Sequence, residues 1–317
     1  MITISTFRFV AGALLAVALL SQCVGPPEPT PEPAAWAPGT SVHTIQAGGE
    51  QRTYRLHVPP RHPRSVLGFT EPYAVVVVLH GSGADGGDAE RQSGMDSVAD
   101  ANGWLAVYPD AVSNALGFGS DWNAGTCCGI AARDSVNDAA FVISVIDAIA
   151  ARLSVDRHRI YVAGFSAGGR LAYHLACQAA IHFAAVAVIS GSVTDSRCRP
   201  AVPVPIVAFH GTDDDELSYS EPSATPVPAP VPSTSGLPPA VQLWASLDGC
   251  RALRATRTTA HTTRFAFRRC RADVVLYSVQ GGGHGWPGST DGPGGESPLN
   301  EVHATASIAR FFARHSR

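Results

Sequence analysis

The chain alternates short, wholly apolar runs with longer amphipathic ones. Residues 73–79 are nearly all valine, the pattern of a strand buried on both faces of a parallel sheet. Residues 104–109, 159–163, 184–190, 205–210 and 274–279 are further short apolar runs and predict strands. Residues 53–58 alternate and stop at Pro59-Pro60, which predicts an edge strand. Between these runs, residues 139–153 place Phe141, Val142, Val145, Ile146, Ile149 and Leu153 at helical spacing. Residues 169–176, 241–247 and 304–312 also read as helices. Strands alternating with helices predict an α/β domain, with a mostly parallel central sheet flanked by helices, over residues 41–317.

Three stretches break that rhythm. In residues 1–23, Arg8 precedes an apolar run from Phe9 to Leu20. That run is short of the roughly 20 residues that cross a bilayer and fits the core of a signal peptide. It ends at Leu20-Ser21-Gln22-Cys23, which resembles a bacterial lipobox and makes Cys23 the lipidation candidate, although Gln22 stands where that pattern has a small residue. Residues 24–40 are proline-rich and read as a semi-rigid tether. Residues 220–239 are rich in Pro, Ser and Ala and read as a flexible insertion.

Composition narrows the function classes. A chain of 317 residues, 45% hydrophobic and 15% charged, can bury a large core. The net charge of −3 offers no electrostatic case for nucleic acid. Setting Cys23 aside, six of the seven cysteines remain, at 127, 128, 177, 198, 250 and 270, and in an exported chain they invite disulfides. Counting alone allows about 15 pairings among six thiols.

Chemistry concentrates at Gly164-Phe165-Ser166-Ala167-Gly168, between the strand at 159–163 and the helix that follows. Strand, sharp turn and helix are what a G-x-S-x-G nucleophile elbow requires, so Ser166 is the candidate nucleophile. A serine needs a base, and the base an orienting acid, in the chain order Ser, acid, His. Two segments fit. His210-Gly211-Thr212-Asp213-Asp214-Asp215 follows a strand and supplies the acid, with His210 shaping the turn. Gly281-Gly282-Gly283-His284 follows another and supplies the base. The oxyanion donors are the Ala167 N–H and the Ser82 N–H in His80-Gly81-Ser82-Gly83. No H-E-x-x-H or paired C-x-x-C motif occurs, and the chemistry calls for no metal or cofactor.

These motifs resemble the secreted polyhydroxybutyrate depolymerase/feruloyl esterase group of α/β-hydrolases, which includes bacterial lipoprotein esterases. The likeness spans most of residues 50–315. It rests on Leu79-His80-Gly81, Trp122-Asn123-Ala124-Gly125 with Cys127-Cys128, Asn137-Asp138, the elbow, His210-Gly211-Thr212-x-Asp214, Asp248-Gly249-Cys250 and Gly283-His284-x-Trp286-Pro287. The resemblance implies a single-domain α/β-hydrolase fold, with Ser166, Asp214 and His284 as triad and Ser82 as an oxyanion donor. It implies Asp138 as a structural anchor and the pairs Cys177–Cys198 and Cys250–Cys270. Cys127 and Cys128 are then left adjacent, as a vicinal disulfide, two thiols or part of another network.

The expected activity is hydrolysis of carboxylic esters (polyester, feruloyl or acetyl-polysaccharide) through an acyl-serine. The expected protein is an extracytoplasmic monomer that meets a membrane only through an N-terminal lipid. Trp122, Phe165 and Trp286 either line the acyl pocket or belong to the core. A serine peptidase is the rival with the same chemistry. A cell-wall polymer-binding protein on an inactive hydrolase scaffold is the rival from another class.

Overall fold

A computed structural model describes residues 36–60, 65–66, 69–113, 120–291 and 298–317. The signal-peptide, Cys23 and most of the tether expectations lie outside the described residues.

Ten strands form one sheet in the order β1(Gly39–Ala47), β2(Glu50–Val58), β6(Trp104–Pro109), β5(Tyr73–Leu79), β7(Val155–Phe165), β8(Ala185–Ile189), β9(Ile206–Gly211), β12(Val274–Val279), β11(Thr262–Arg268), β10(Ala252–Arg257). Strands β3(Ser65–Val66) and β4(Phe69–Thr70) form a separate small ribbon. The six strands from β6 to β12 run parallel, and an antiparallel pair closes each side. Helices α1(Gly86–Ser93), α2(Met95–Asn102) and α7(Ala304–Phe312), with α3(Gly129–Arg133), α4(Asp138–Ala150), α5(Ala167–Gln178) and α6(Pro239–Leu247), flank the sheet. Apolar side chains divide into two buried clusters. One contains Val75, Val77, Phe141, Leu171 and Trp244, and the other Val76, Val78, Tyr161, Phe209 and Phe311. The alternation of Val75 and Val77 against Val76 and Val78 is the period-two pleat of a strand covered on both faces.

Strand β6, strand β12 and helix α7 occupy the lengths that their patterns predict. Other expectations change. β2 is not an edge, because β1 pairs with it from Gly39 to Ala47 and β6 lies on its other side. β1 escapes a hydrophobicity reading because its outer side is solvated and its residues alternate between exposed and half-buried. The tether stops short of residue 40: Gly39 and Thr40 already belong to β1, and the Trp36 ring packs 4.4 Å from the His43 ring. The hairpin β10–β11 was hidden by its arginines and threonines.

The flexible insertion expected at 220–239 is instead a packed irregular segment. Val231, Thr234 and Leu237 are buried. Ala224 N–H donates to the Val193 carbonyl at 2.9 Å, and Thr225 Oγ1 donates to the Asp195 carbonyl and accepts from Cys198 N–H. A proline-rich segment has little backbone entropy to lose, so a few apolar anchors and satisfied polar groups suffice to dock it. It runs into α6 through Pro238 and Pro239, the position where proline starts a helix well.

Cys177–Cys198, Cys250–Cys270 and Cys127–Cys128 are all disulfide-bonded. The vicinal alternative for Cys127 and Cys128 is therefore the one adopted. Three disulfides fit a chain that matures in an oxidising compartment. Among the described residues, no helix is long and apolar enough to cross a membrane.

Candidate active site

The elbow stands where β7 ends. Ser166 has φ 54° and ψ −117°, a conformation that strains a residue with a side chain. Two close approaches explain the flanking glycines. A Cβ on Gly164 would collide with the Gly168 carbonyl, and one on Gly168 would lie 2.5 Å from the His80 carbonyl oxygen. The bend thus packs against the end of β5 with no room for side chains. Ser166 N–H donates to the Ile189 carbonyl at 3.0 Å, tying the elbow to β8.

The loop after β5 lies directly beside Ser166. A Cβ on Gly81 would be 3.4 Å from Ser166 Cβ. His80 props this loop. Its Nδ1–H donates to the Gly81 carbonyl at 2.7 Å, while Nε2 accepts from Ala111 N–H at 3.0 Å. That pair of bonds needs a neutral ring, and burial, the main influence, holds the His80 pKa below its ordinary value. Trp122 Nε1–H donates to the His80 carbonyl at 3.0 Å, with the two rings 4.9 Å apart. Ser82 is exposed at the loop's tip, and Ala167 is the first residue of α5.

Asp214 is buried in the turn after β9, whereas Asp213 and Asp215 are exposed. Its Oδ1 accepts from Leu217 N–H at 2.8 Å and Glu216 N–H at 3.2 Å. His210 Nε2–H donates to the Leu217 carbonyl at 2.8 Å and lies 3.3 Å from Asp214 Oδ2. His284 Nδ1 is 2.9 Å from both carboxylate oxygens. An ionised carboxylate only accepts, so Nδ1 carries the proton and Nε2 is left basic. Burial pushes the Asp214 pKa up, but bonds from His210, His284 and Leu217 N–H outweigh it and hold the carboxyl well below the usual range. The Phe165 ring lies 4.8 Å from the His284 ring, so the residue before Ser166 packs on the candidate base. Among the described residues no hydrogen bond joins Ser166 Oγ to His284. Nε2 lies instead 3.7 Å from Glu216 Oε2. Bonds of this kind in substrate-free sites often tighten only when substrate binds.

A cavity of about 270 Å³ opens at the loop after β5, lined in part by Gly81, Ser82, Phe165, Asp88, Gln92 and Asp291. Of the three aromatic candidates, Phe165 alone faces it. Trp122 is fully buried under the loop, and Trp286 is buried with its Nε1–H on Thr305 Oγ1 at 2.9 Å. Their sequence neighbours are polar and glycine-rich, which hid their role as supports. A larger hollow of about 500 Å³ next to Ala184, Pro205 and Asp273 lies at the strands' N-terminal ends, away from the edge where α/β sites form. His80 was legible as part of its motif but not as the prop of its loop, and Glu216 gave no signal, since the contacts with Ala111, Trp122 and His284 that define these roles come from segments distant along the chain. Asp138 is an anchor as expected, pairing with Arg52 at 2.8 Å and accepting from Asn123 N–H at 2.7 Å.

The Esterase PHB depolymerase family model matches residues 53–266, about two thirds of the chain. The chain belongs to that family. Membership in the Esterase PHB depolymerase family places it among carboxylic ester hydrolases. A Nocardia uniformis subsp. tsuyamanensis protein named as an esterase, NocK, is 28% identical over 88% of this chain and 90% of its own. Feruloyl esterase B of Piromyces equi is 28% identical over 68% of this chain, which spans only 41% of that larger protein. Among solved structures, an acetyl xylan esterase from Aspergillus awamori superposes with a TM-score of 0.59 at 14% identity, covering 86% of this chain and 99% of that one. At that identity the likeness concerns the α/β-hydrolase fold.

Proposed function

We propose that the protein is an exported serine esterase that cleaves carboxylic esters through an acyl-enzyme on Ser166. The observation that carries this reading is the buried Asp214–His284 pair, bonded at 2.9 Å and packed against the elbow residue Phe165. His284 Nε2 takes the Ser166 proton as Oγ attacks the ester carbonyl. Asp214 holds the Nδ1–H tautomer and stabilises the imidazolium. Ala167 and Ser82 N–H groups bind the oxyanion, a donor of this kind being worth about 2.7–4 kcal/mol. His284 then protonates the departing alcohol, and a water activated by His284 frees the acid.

Polyester, feruloyl and acetyl-polysaccharide esters are the substrate classes, and the feruloyl esterase relative supports the second. The chain works as a monomer in an extracytoplasmic compartment, held at the cell surface if Cys23 is lipidated. Its substrate is the partner, with no nucleic acid involved. Ser166→Ala should abolish p-nitrophenyl butyrate hydrolysis while leaving the thermal melt intact, and retained activity would remove Ser166 as nucleophile. Mass spectrometry of the mature N-terminus tests the anchor, and an unmodified end away from Cys23 rules it out.

A further inference from the structure

We propose that Glu216 selects the alcohol half of the ester, accepting a hydrogen bond from a second hydroxyl on the leaving group and so favouring sugar esters. The inference rests on the esterase reading above. Its basis is the position of one carboxylate on the open side of the base. The turn that seats Asp214 also sets Glu216, because the Glu216 and Leu217 N–H groups both bond Asp214 Oδ1. The Glu216 side chain is 72% exposed, and its Oε2 lies 3.7 Å from His284 Nε2. Asp214 therefore occupies the Nδ1 side of the imidazole and Glu216 flanks the Nε2 side.

Nε2 is the atom that hands its proton to the departing oxygen. A carboxylate beside that nitrogen is also beside the departing alcohol. A sugar alcohol carries a hydroxyl on the adjacent carbon that can donate to Glu216 while the ester oxygen takes the Nε2 proton. A methyl or ethyl leaving group has no such donor. The leaving group of a 3-hydroxybutyrate dimer carries a carboxylate, which Glu216 repels. The contact acts on acylation, since after the alcohol leaves the acyl-enzyme is the same whatever the alcohol was.

The test compares a methyl ester, an arabinosyl or xylosyl ester of the same acid, and the hydroxybutyrate dimer, with wild type, Glu216→Gln and Glu216→Ala. The readout is the ratio of kcat/KM values between substrates, which cancels any common change in His284 basicity. A bond to an exposed carboxylate predicts a roughly tenfold fall in the glycosyl-to-methyl ratio for Glu216→Ala, with Glu216→Gln between. The dimer-to-methyl ratio should rise several-fold in both variants, and less at high salt. A glycosyl-to-methyl ratio that stays constant overturns the proposal and leaves the esterase reading standing. Absence of turnover of all three esters by the wild type overturns both.

Discussion

Replacing Asp214 by Asn tests the acid and its register at once. The buried carboxylate has four donors around it. Leu217 and Glu216 N–H converge on Oδ1, His210 lies 3.3 Å from Oδ2, and the Nδ1–H of His284 lies 2.9 Å from each oxygen. An asparagine can offer only one oxygen. That oxygen stays with the two backbone donors, and its NH₂ group then turns toward His210 and His284. Facing an NH₂, His284 must present an unprotonated Nδ1, so its proton moves to Nε2, where a base is needed. The expected cost in kcat at neutral pH is about 10³–10⁴-fold, the scale of a wrong-tautomer triad. Asp213 and Asp215 are exposed, and the bond Asp213 receives is from its neighbour Thr212 at 2.9 Å. Their Asn variants should stay within about twofold, as surface changes away from the reacting groups do. The assay is p-nitrophenyl butyrate hydrolysis, with circular dichroism melts to show that each variant folds. A larger loss at Asp213 or Asp215 than at Asp214 would refute the tautomer argument and the assignment of the acid.

Asp248 is buried with Oδ2 unpartnered at the C-terminal end of α6, and burial, only partly offset by Arg271, pushes its pKa up to about 7. Because the folded value exceeds the unfolded one, the wild type loses stability as pH rises from about 4 to 7; Asp248→Asn should match it near pH 4 and exceed it at pH 8 by at most about 4 kcal/mol in urea melts, and a pH-independent difference would refute this. Asp214 has the opposite sign: its depressed pKa contributes stability that is present at neutral pH and lost on acidification, so the stability gap between wild type and Asp214→Asn should shrink as pH falls below 4. Cys250 and Cys270 are 20 residues apart, so replacing both by Ala should cost about 3 kcal/mol of stability by loop-closure entropy, read by denaturant titration. Gly168→Ala should give an insoluble or inactive protein, because its Cβ would meet the His80 carbonyl at 2.5 Å, and a soluble enzyme with normal kcat would show that the elbow can relax.

Much was legible in one dimension. The valine run of β5, the elbow around Ser166 and the Ser, acid, His order each depend on residues adjacent in the chain, so local pattern carried the α/β class and the candidate site. The flanking glycines of Ser166 were readable because a bend that tight excludes side chains wherever it occurs. Other features need neighbours that only folding supplies. Three consecutive aspartates look alike in sequence, yet one is buried under two histidines and two backbone N–H groups while the others face water. Trp122 and Trp286 read equally as pocket or core, and burial under the His80 loop and against Thr305 makes them supports. The prolines of 220–239 suggested freedom, but Val231 and Leu237 found a surface to bury against. Local sequence sets which conformations are cheap and which groups can react. Tertiary packing decides which of those groups lose water and meet, and so which aspartate orients His284.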